Sequence, residues 1–186
     1  MKRLLAMAAL LSISACSTAP PGAPVAASTP RFAPAPAEEA AILQVIDTFL
    51  IAVGNGDRAL QASVELPDGG LAVYRSRDGV AGPVRRMPAS DFQKPTPNRD
   101  PFVEMYWAPD ILVRESFAQV WTPYVLRDNG AVVHCGINAF QLVKLEGAWK
   151  IHSALSSMEA GSCDELGAKT ATGLRPRDGW RETPNQ

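Results

Sequence analysis

His134 is one of only two histidines in a chain of 186 residues. An imidazole titrates near neutral pH, so it suits general acid–base work or a hydrogen bond to a ligand. It lies in Val133-His134-Cys135-Gly136-Ile137-Asn138-Ala139-Phe140, which reads as a strand. Strand alternation puts His134, Gly136, Asn138 and Phe140 on one face and Val133, Cys135, Ile137 and Ala139 on the other. An imidazole, an amide and a glycine on one face can line a pocket, with the glycine making room for a ligand. The competing reading is a structural histidine bonded within the sheet. Tyr106, Trp107, Trp121 and Tyr124 add aromatic surface with polar tips, which suits a ligand pocket or a core. The ligand-pocket candidates are Tyr106, Trp121, Tyr124, His134 and Asn138, and His134 is the one candidate catalytic residue. Glu104 and Asp110 are the nearest carboxylates in sequence, and either could pair with it across a sheet.

Other chemistries find less support. His134 and His152 lie eighteen residues apart on different expected strands. His134 and Cys135 are adjacent, so alternation turns them to opposite faces. Neither a metal site nor a Cys–His nucleophile is expected, and there is no His-rich zinc motif or phosphate-binding glycine loop. No cofactor is implied. The charge is nearly balanced, 18 Lys and Arg against 19 Asp and Glu, which argues against a nucleic-acid partner.

The N-terminus carries a targeting signal. Lys2 and Arg3 precede an apolar run from Leu4 to Ile13, too short to span a bilayer. The run ends in Ile13-Ser14-Ala15-Cys16, small residues before a cysteine, as in a bacterial lipobox. Residues 1–15 therefore read as a lipoprotein signal peptide and Cys16 as the lipidated residue, held at the membrane by its acyl chains. The competing reading is an ordinary signal peptide with a chance cysteine. The lipoprotein reading puts the chain in the cell envelope, with Ser17 suggesting the outer membrane and a periplasm-facing domain. Cleavage removes Lys2 and Arg3 and no acid, leaving 16 bases against 19 acids. Cys135 and Cys163 then remain as an even pair in an oxidising compartment, which suggests a disulfide. Two separate thiols are the alternative.

These residues need a scaffold. Residues 16–37 hold the lipidated cysteine and a tether with six prolines and seven alanines, extended in character. The domain is expected over 38–163. Ile42, Val45, Ile46, Phe49, Leu50 and Val53 recur at helical spacing, and a short helical turn covers Arg58 to Ser63. Leu66 to Gly70 reads as a turn and Leu71 to Arg75 as a strand. Residues 80–101 look irregular, with one helical turn at Ala89 to Phe92. Strands follow over Phe102–Tyr106 with Ile111–Arg114, Ser116–Leu126, Ala131–Leu145 and Ala148–Ser157. Asp128-Asn129-Gly130 and Glu146-Gly147 are the turns between them. Residues 164–186 are polar, punctuated by glycine and proline, and are expected as a weakly ordered tail.

This order of elements resembles the nuclear transport factor 2-like fold, an α+β cone-shaped barrel with N-terminal helices packed in a strongly bent, mostly antiparallel sheet. The resemblance sharpens at Val120-Trp121-Thr122-Pro123-Tyr124, at His134-Cys135-Gly136-Ile137-Asn138-Ala139-Phe140-Gln141-Leu142-Val143 and at Gly147-Ala148-Trp149-Lys150-Ile151. Over about residues 38–160 the chain is similar to bacterial members labelled SnoaL-like or lumazine-binding-like. The resemblance implies a pocket at the open end of the cone and a homodimer through the outer face of the sheet. The superfamily holds isomerases, dehydratases, cyclases and plain binding domains, so the fold leaves the activity open. Enzymatic members place an Asp or a His–Asp pair inside the cone, and no motif here matches it residue by residue. The expected function is thus non-enzymatic binding of a small apolar or aromatic ligand or of a partner protein. The alternative is an isomerase- or dehydratase-type enzyme using His134 as general acid–base.

Overall fold

The computed structural model describes residues 32–92 and 101–180. The expected signal peptide, Cys16 and the expected tether as far as residue 31 lie outside the described residues. Helix α1 (Pro36–Asn55) begins inside the segment expected as tether, because proline at the first helical position is pre-set in φ and lacks only an N–H the helix does not use. Glu38 and Glu39 sit in its first turn, where the dipole favours anions. Gly56 closes the helix at φ 69°, with its N–H turned back to Ala52 and Val53. Helix α2 (Arg58–Val64) is capped by Asp57, whose carboxylate accepts the Leu60 N–H at 3.0 Å.

The rest is largely sheet: β1 (Glu65–Arg77), β2 (Val80–Ala81), β3 (Arg85–Pro88), β4 (Val103–Tyr106), β5 (Asp110–Arg114), β6 (Phe117–Asp128), β7 (Ala131–Leu145) and β8 (Ala148–Glu159). A one-turn helix, α3 (Ala89–Phe92), follows β3. The strand order is β2-β1-β8-β7-β6-β4, with β3 on β1 and β5 on β6. β6, β7 and β8 form an antiparallel meander, and β1 runs parallel to β8. Asn129 and Gly130 take positive φ in the β6–β7 turn, as do Glu146 and Gly147 in the next. Register shifts between Glu65 and Gly70, Leu126 and Arg127, and Gln141 and Leu142 bend the strands.

Two expectations are corrected in this region. Leu66 to Gly70 is not a separate turn; it belongs to β1, and the first register shift absorbs it. Residues 85–88 are not irregular, because β1 offers them an open edge to pair with.

One face of the sheet receives α1. Ile42, Leu43, Ile46, Phe49 and Leu50 pack on Ala118, Val120, Phe140, Leu142, Trp149 and Ile151. Phe49 meets Phe140 edge to face at 5.9 Å. This inner face is the inside of the cone.

The C-terminal segment departs most from expectation: residues 164–180 are packed as a strap. Cys163 is bonded to Cys135, with Cα atoms 5.1 Å apart. Leu166, Ala168, Ala171 and Leu174 then cover Trp107, Val125 and Cys135 on the outer face. The strap rounds the β4 edge, where Arg175 and Tyr106 exchange both backbone hydrogen bonds at 2.7 and 2.9 Å. It ends on α1: Trp180 rests on Gly54, and Asn55 Nδ2 donates to the Gly179 carbonyl at 2.8 Å. The polar composition hid this because few apolar side chains, each at a separate contact, hold the segment.

Candidate functional site

The alternation expected for β7 is observed: His134, Gly136, Asn138 and Phe140 share the inner face. Phe140 belongs to the main core, so the polar groups occupy the end of the sheet beyond it. Asn138 is buried and fully engaged. Its Nδ2 donates to Glu104 Oε1 at 2.8 Å, and its Oδ1 accepts from Ser156 Oγ at 2.6 Å. Tyr124 donates from its hydroxyl to the Ser157 carbonyl at 2.7 Å. Tyr106 donates to Asp47 Oδ1 at 2.8 Å. Both phenols are held far above their ordinary titration range, first by burial and then by neighbouring carboxylate charge.

Trp121 does not join this group. It pairs with Ala139 on the outer face and is 50 % exposed. Gly136 does not make room for a ligand either. The Tyr124 ring uses the space: a Cβ on Gly136 would collide with the Ser157 carbonyl oxygen and lie 2.9 Å from Tyr124 Cε1.

His134 is 8 % exposed, and its Nδ1 has no hydrogen-bond partner among the described residues. Its ring stands edge-on to Tyr124 with centroids 5.7 Å apart. Burial, then the charge of Arg75, lowers its pKa and so favours the uncharged ring. Neither expected carboxylate pairs with it. Glu104 turns to Asn138, and Asp110 pairs with Trp121 at the outer face.

The site holds a group that sequence reasoning missed. Asp47 lies on the buried stripe of α1, where its carboxylate meets Tyr106 and the strap residue Arg175. Arg175 Nη2 is 2.6 Å and Nε 3.2 Å from Asp47 Oδ2, a two-pronged ion pair. The hydrogen bond to Asp47 raises the guanidinium pKa further. The available signal was an acid between Leu43 and Leu50 in an otherwise apolar stripe. Its partner, within the expected tail, carried no signal.

On the outer face a groove of about 700 Å³ lies between the sheet and β3, lined by Ala72, Arg86, Gln119, Ala139, Gln141 and Leu155 among others. Trp121, Leu112 and Phe117 are half-exposed on the same face. The strap covers the opposite end of that face and leaves these residues bare.

No family model matches the sequence, and no curated protein matches it. Solved structures do match. One is a protein of unknown function with a cystatin-like fold from Nostoc punctiforme, with TM-score 0.55 and 9 % identity, covering 68 % of this chain and 95 % of that one. Another is a nuclear transport factor 2-like protein with a cystatin-like fold from Novosphingobium aromaticivorans, with TM-score 0.54 and 13 % identity, covering 73 % and 90 %. A third is a hexachlorocyclohexane dehydrochlorinase from Novosphingobium barchaimii, with TM-score 0.50 and 18 % identity, covering 66 % and 86 %. The chain therefore has the nuclear transport factor 2-like, cystatin-like α+β cone. At these identities the likeness establishes the fold alone, and it joins proteins of unknown function to an enzyme.

Proposed function

We propose that this chain is a lipoprotein of the bacterial envelope, anchored through Cys16 in the outer membrane and facing the periplasm. Its cone binds a small apolar or aromatic ligand without converting it. The signal sequence supports the location, and the Cys135–Cys163 bond suits an oxidising compartment. The observation that carries the binding reading is His134: buried, its pKa lowered by burial, with an unpartnered Nδ1 and no carboxylate bonded to it among the described residues. The buried carboxylates are engaged, Asp47 by Arg175 and Tyr106 and Glu65 by Gln61, and Glu104 accepts from Asn138. A neutral imidazole with an open nitrogen can orient a ligand. Without an acid to steady an imidazolium, it is a weak proton carrier.

The bare outer face around Trp121 and Leu155 is where a second copy of the chain would sit, completing a homodimer. The same open nitrogen favours a second reading, an isomerase- or dehydratase-type enzyme with His134 as general acid–base. That reading predicts turnover of the bound compound.

Two variants test the proposal. Cys16→Ser should move the protein from the detergent phase to the aqueous phase, and unchanged retention would remove the lipid anchor. His134→Ala should stay folded and lose the thermal shift that small aromatic ligands give the wild type. A variant that simply unfolds would make His134 a structural residue and sink the pocket.

A further inference from the structure

The groove on the outer face carries its own charge pattern, apart from the end of the cone at His134. Its floor is two neighbouring rows of the sheet. Arg86, Ala72, Leu155 and Ala139 stand side by side across β3, β1, β8 and β7. Gly70, Ser153 and Gln141 make the next row, across β1, β8 and β7. Residues two apart on a strand share a face and lie about 7 Å apart, so both rows look into the same space. The small residues Gly70, Ala72 and Ala139 hollow the floor, and the half-exposed Leu155 gives it an apolar flank.

The charges sit at the two ends. Arg86 is exposed on β3, level with Ala72. Asp68 is exposed in the stretch of β1 where the register shifts, beyond Gly70. There β1 advances five residues, from Glu65 to Gly70, while β8 advances two, from Ile151 to Ser153. The extra chain bulges, and Asp68 closes that end of the groove. Neither side chain has a hydrogen-bond or ion-pair partner among the described residues. Counted along β1 and allowing for the bulge, the two charged positions are roughly 10 Å apart. Between them, Ser153 Oγ donates to Gln141 Oε1 at 2.9 Å. That bond fixes the amide and leaves the Gln141 Nε2 hydrogens and the Ser153 lone pairs for a ligand.

We propose that this groove binds a short peptide with both termini free, extended along β8. Its carboxylate meets Arg86, its ammonium meets Asp68, and its backbone amides meet Gln141 and Ser153. A cation and an anion roughly 10 Å apart match the charged ends of an extended tripeptide, at about 3.3–3.6 Å per residue. The shallow floor at Ala72 and Ala139 favours small side chains. This is a second site, distinct from the one proposed at His134, and its failure leaves that reading untouched. A second copy of the chain would compete for it, since Leu155 and Ala139 border the face proposed for the homodimer.

The test titrates the full chain with four probes: trialanine, its N-acetyl form, its C-terminal amide and chitotriose. The Gln141 side-chain amide is followed by NMR, and the oligomeric state is recorded at each concentration. Trialanine should shift the Gln141 amide. Blocking either end should weaken binding about three- to fivefold, the scale of an exposed ion pair. The variants pair with the probes. Arg86→Gln should erase the advantage of trialanine over its amide and keep its advantage over the acetyl form, and Asp68→Asn should do the reverse. Both positions are exposed, so both variants keep the fold. Equal binding of free and blocked peptides would overturn the inference, as would chitotriose binding as tightly as trialanine or a Gln141 amide that no peptide shifts. Binding that disappears as the dimer forms would assign the groove to the second copy and overturn it too.

Discussion

Replacing Cys135 and Cys163 together by alanine is expected to destabilise the domain by about 3–4 kcal/mol, from the closure of a loop of this length in the unfolded chain. The bond spans 28 residues and joins the middle of β7 to the start of the strap. Cys135 is fully buried on the outer face among Trp107, Val125 and Leu166, so the substitution also opens a small void there. Urea unfolding of oxidised, reduced and doubly substituted protein measures the difference. The loss should appear in the midpoint, and the strap should become newly open to trypsin at Lys169 and Arg177. A doubly substituted protein as stable as the wild type, with the strap still protected, would show that the apolar contacts of Leu166 to Leu174 hold the segment unaided.

Gly136→Ala should cost about 3 kcal/mol or more, at the upper end for a single methyl in a packed interior. The new Cβ has no space, because the neighbouring Ser157 carbonyl is backbone and the Tyr124 ring is trapped between strands. Either β7 and β8 separate or Tyr124 leaves its hydrogen bond to Ser157, which strands a buried hydroxyl. The variant should lower the melting temperature and disturb the His134 ring resonances, since that ring stands against Tyr124. Gly130→Ala supplies the comparison. It meets nothing within 4 Å and bears only the strain of its positive φ, so it should cost about 1 kcal/mol. Equal losses at the two sites would mean that Gly136 is selected for backbone freedom and not for the room it leaves Tyr124.

Local signals made much of the fold legible. The β7 range was readable to the residue, because Asn129-Gly130 and Glu146-Gly147 bracket an alternating run. The α1 face was readable because its apolar positions keep helical spacing. The disulfide was legible from the even pair of cysteines left once Cys16 is read as lipidated, in the oxidising compartment that reading implies. The site was legible only in part. His134 and Asn138 were placed together by strand alternation, and so they are. Trp121 and Tyr124 are three residues apart, and on one strand an odd spacing puts them on opposite faces. Grouping them as one aromatic pocket ignored that period.

What stayed hidden depends on pairing across long sequence distances. Asp47 and Arg175 are 128 residues apart, and neither position announces the other. β3 exists because β1 has a free edge. The strap holds through a disulfide, one backbone bridge, one ion pair and Trp180, each of them isolated in sequence.

On the proposed function, the end of the cone at His134 holds a small molecule and leaves it unchanged. Native mass spectrometry of the oxidised protein, purified from its native cells without denaturation, tests this most directly. The expected result is a wild-type mass carrying one small compound, a His134→Ala protein without it, and the same compound recovered chemically intact after prolonged incubation. A wild-type protein that arrives empty, or a compound that is steadily converted on the protein, would contradict it.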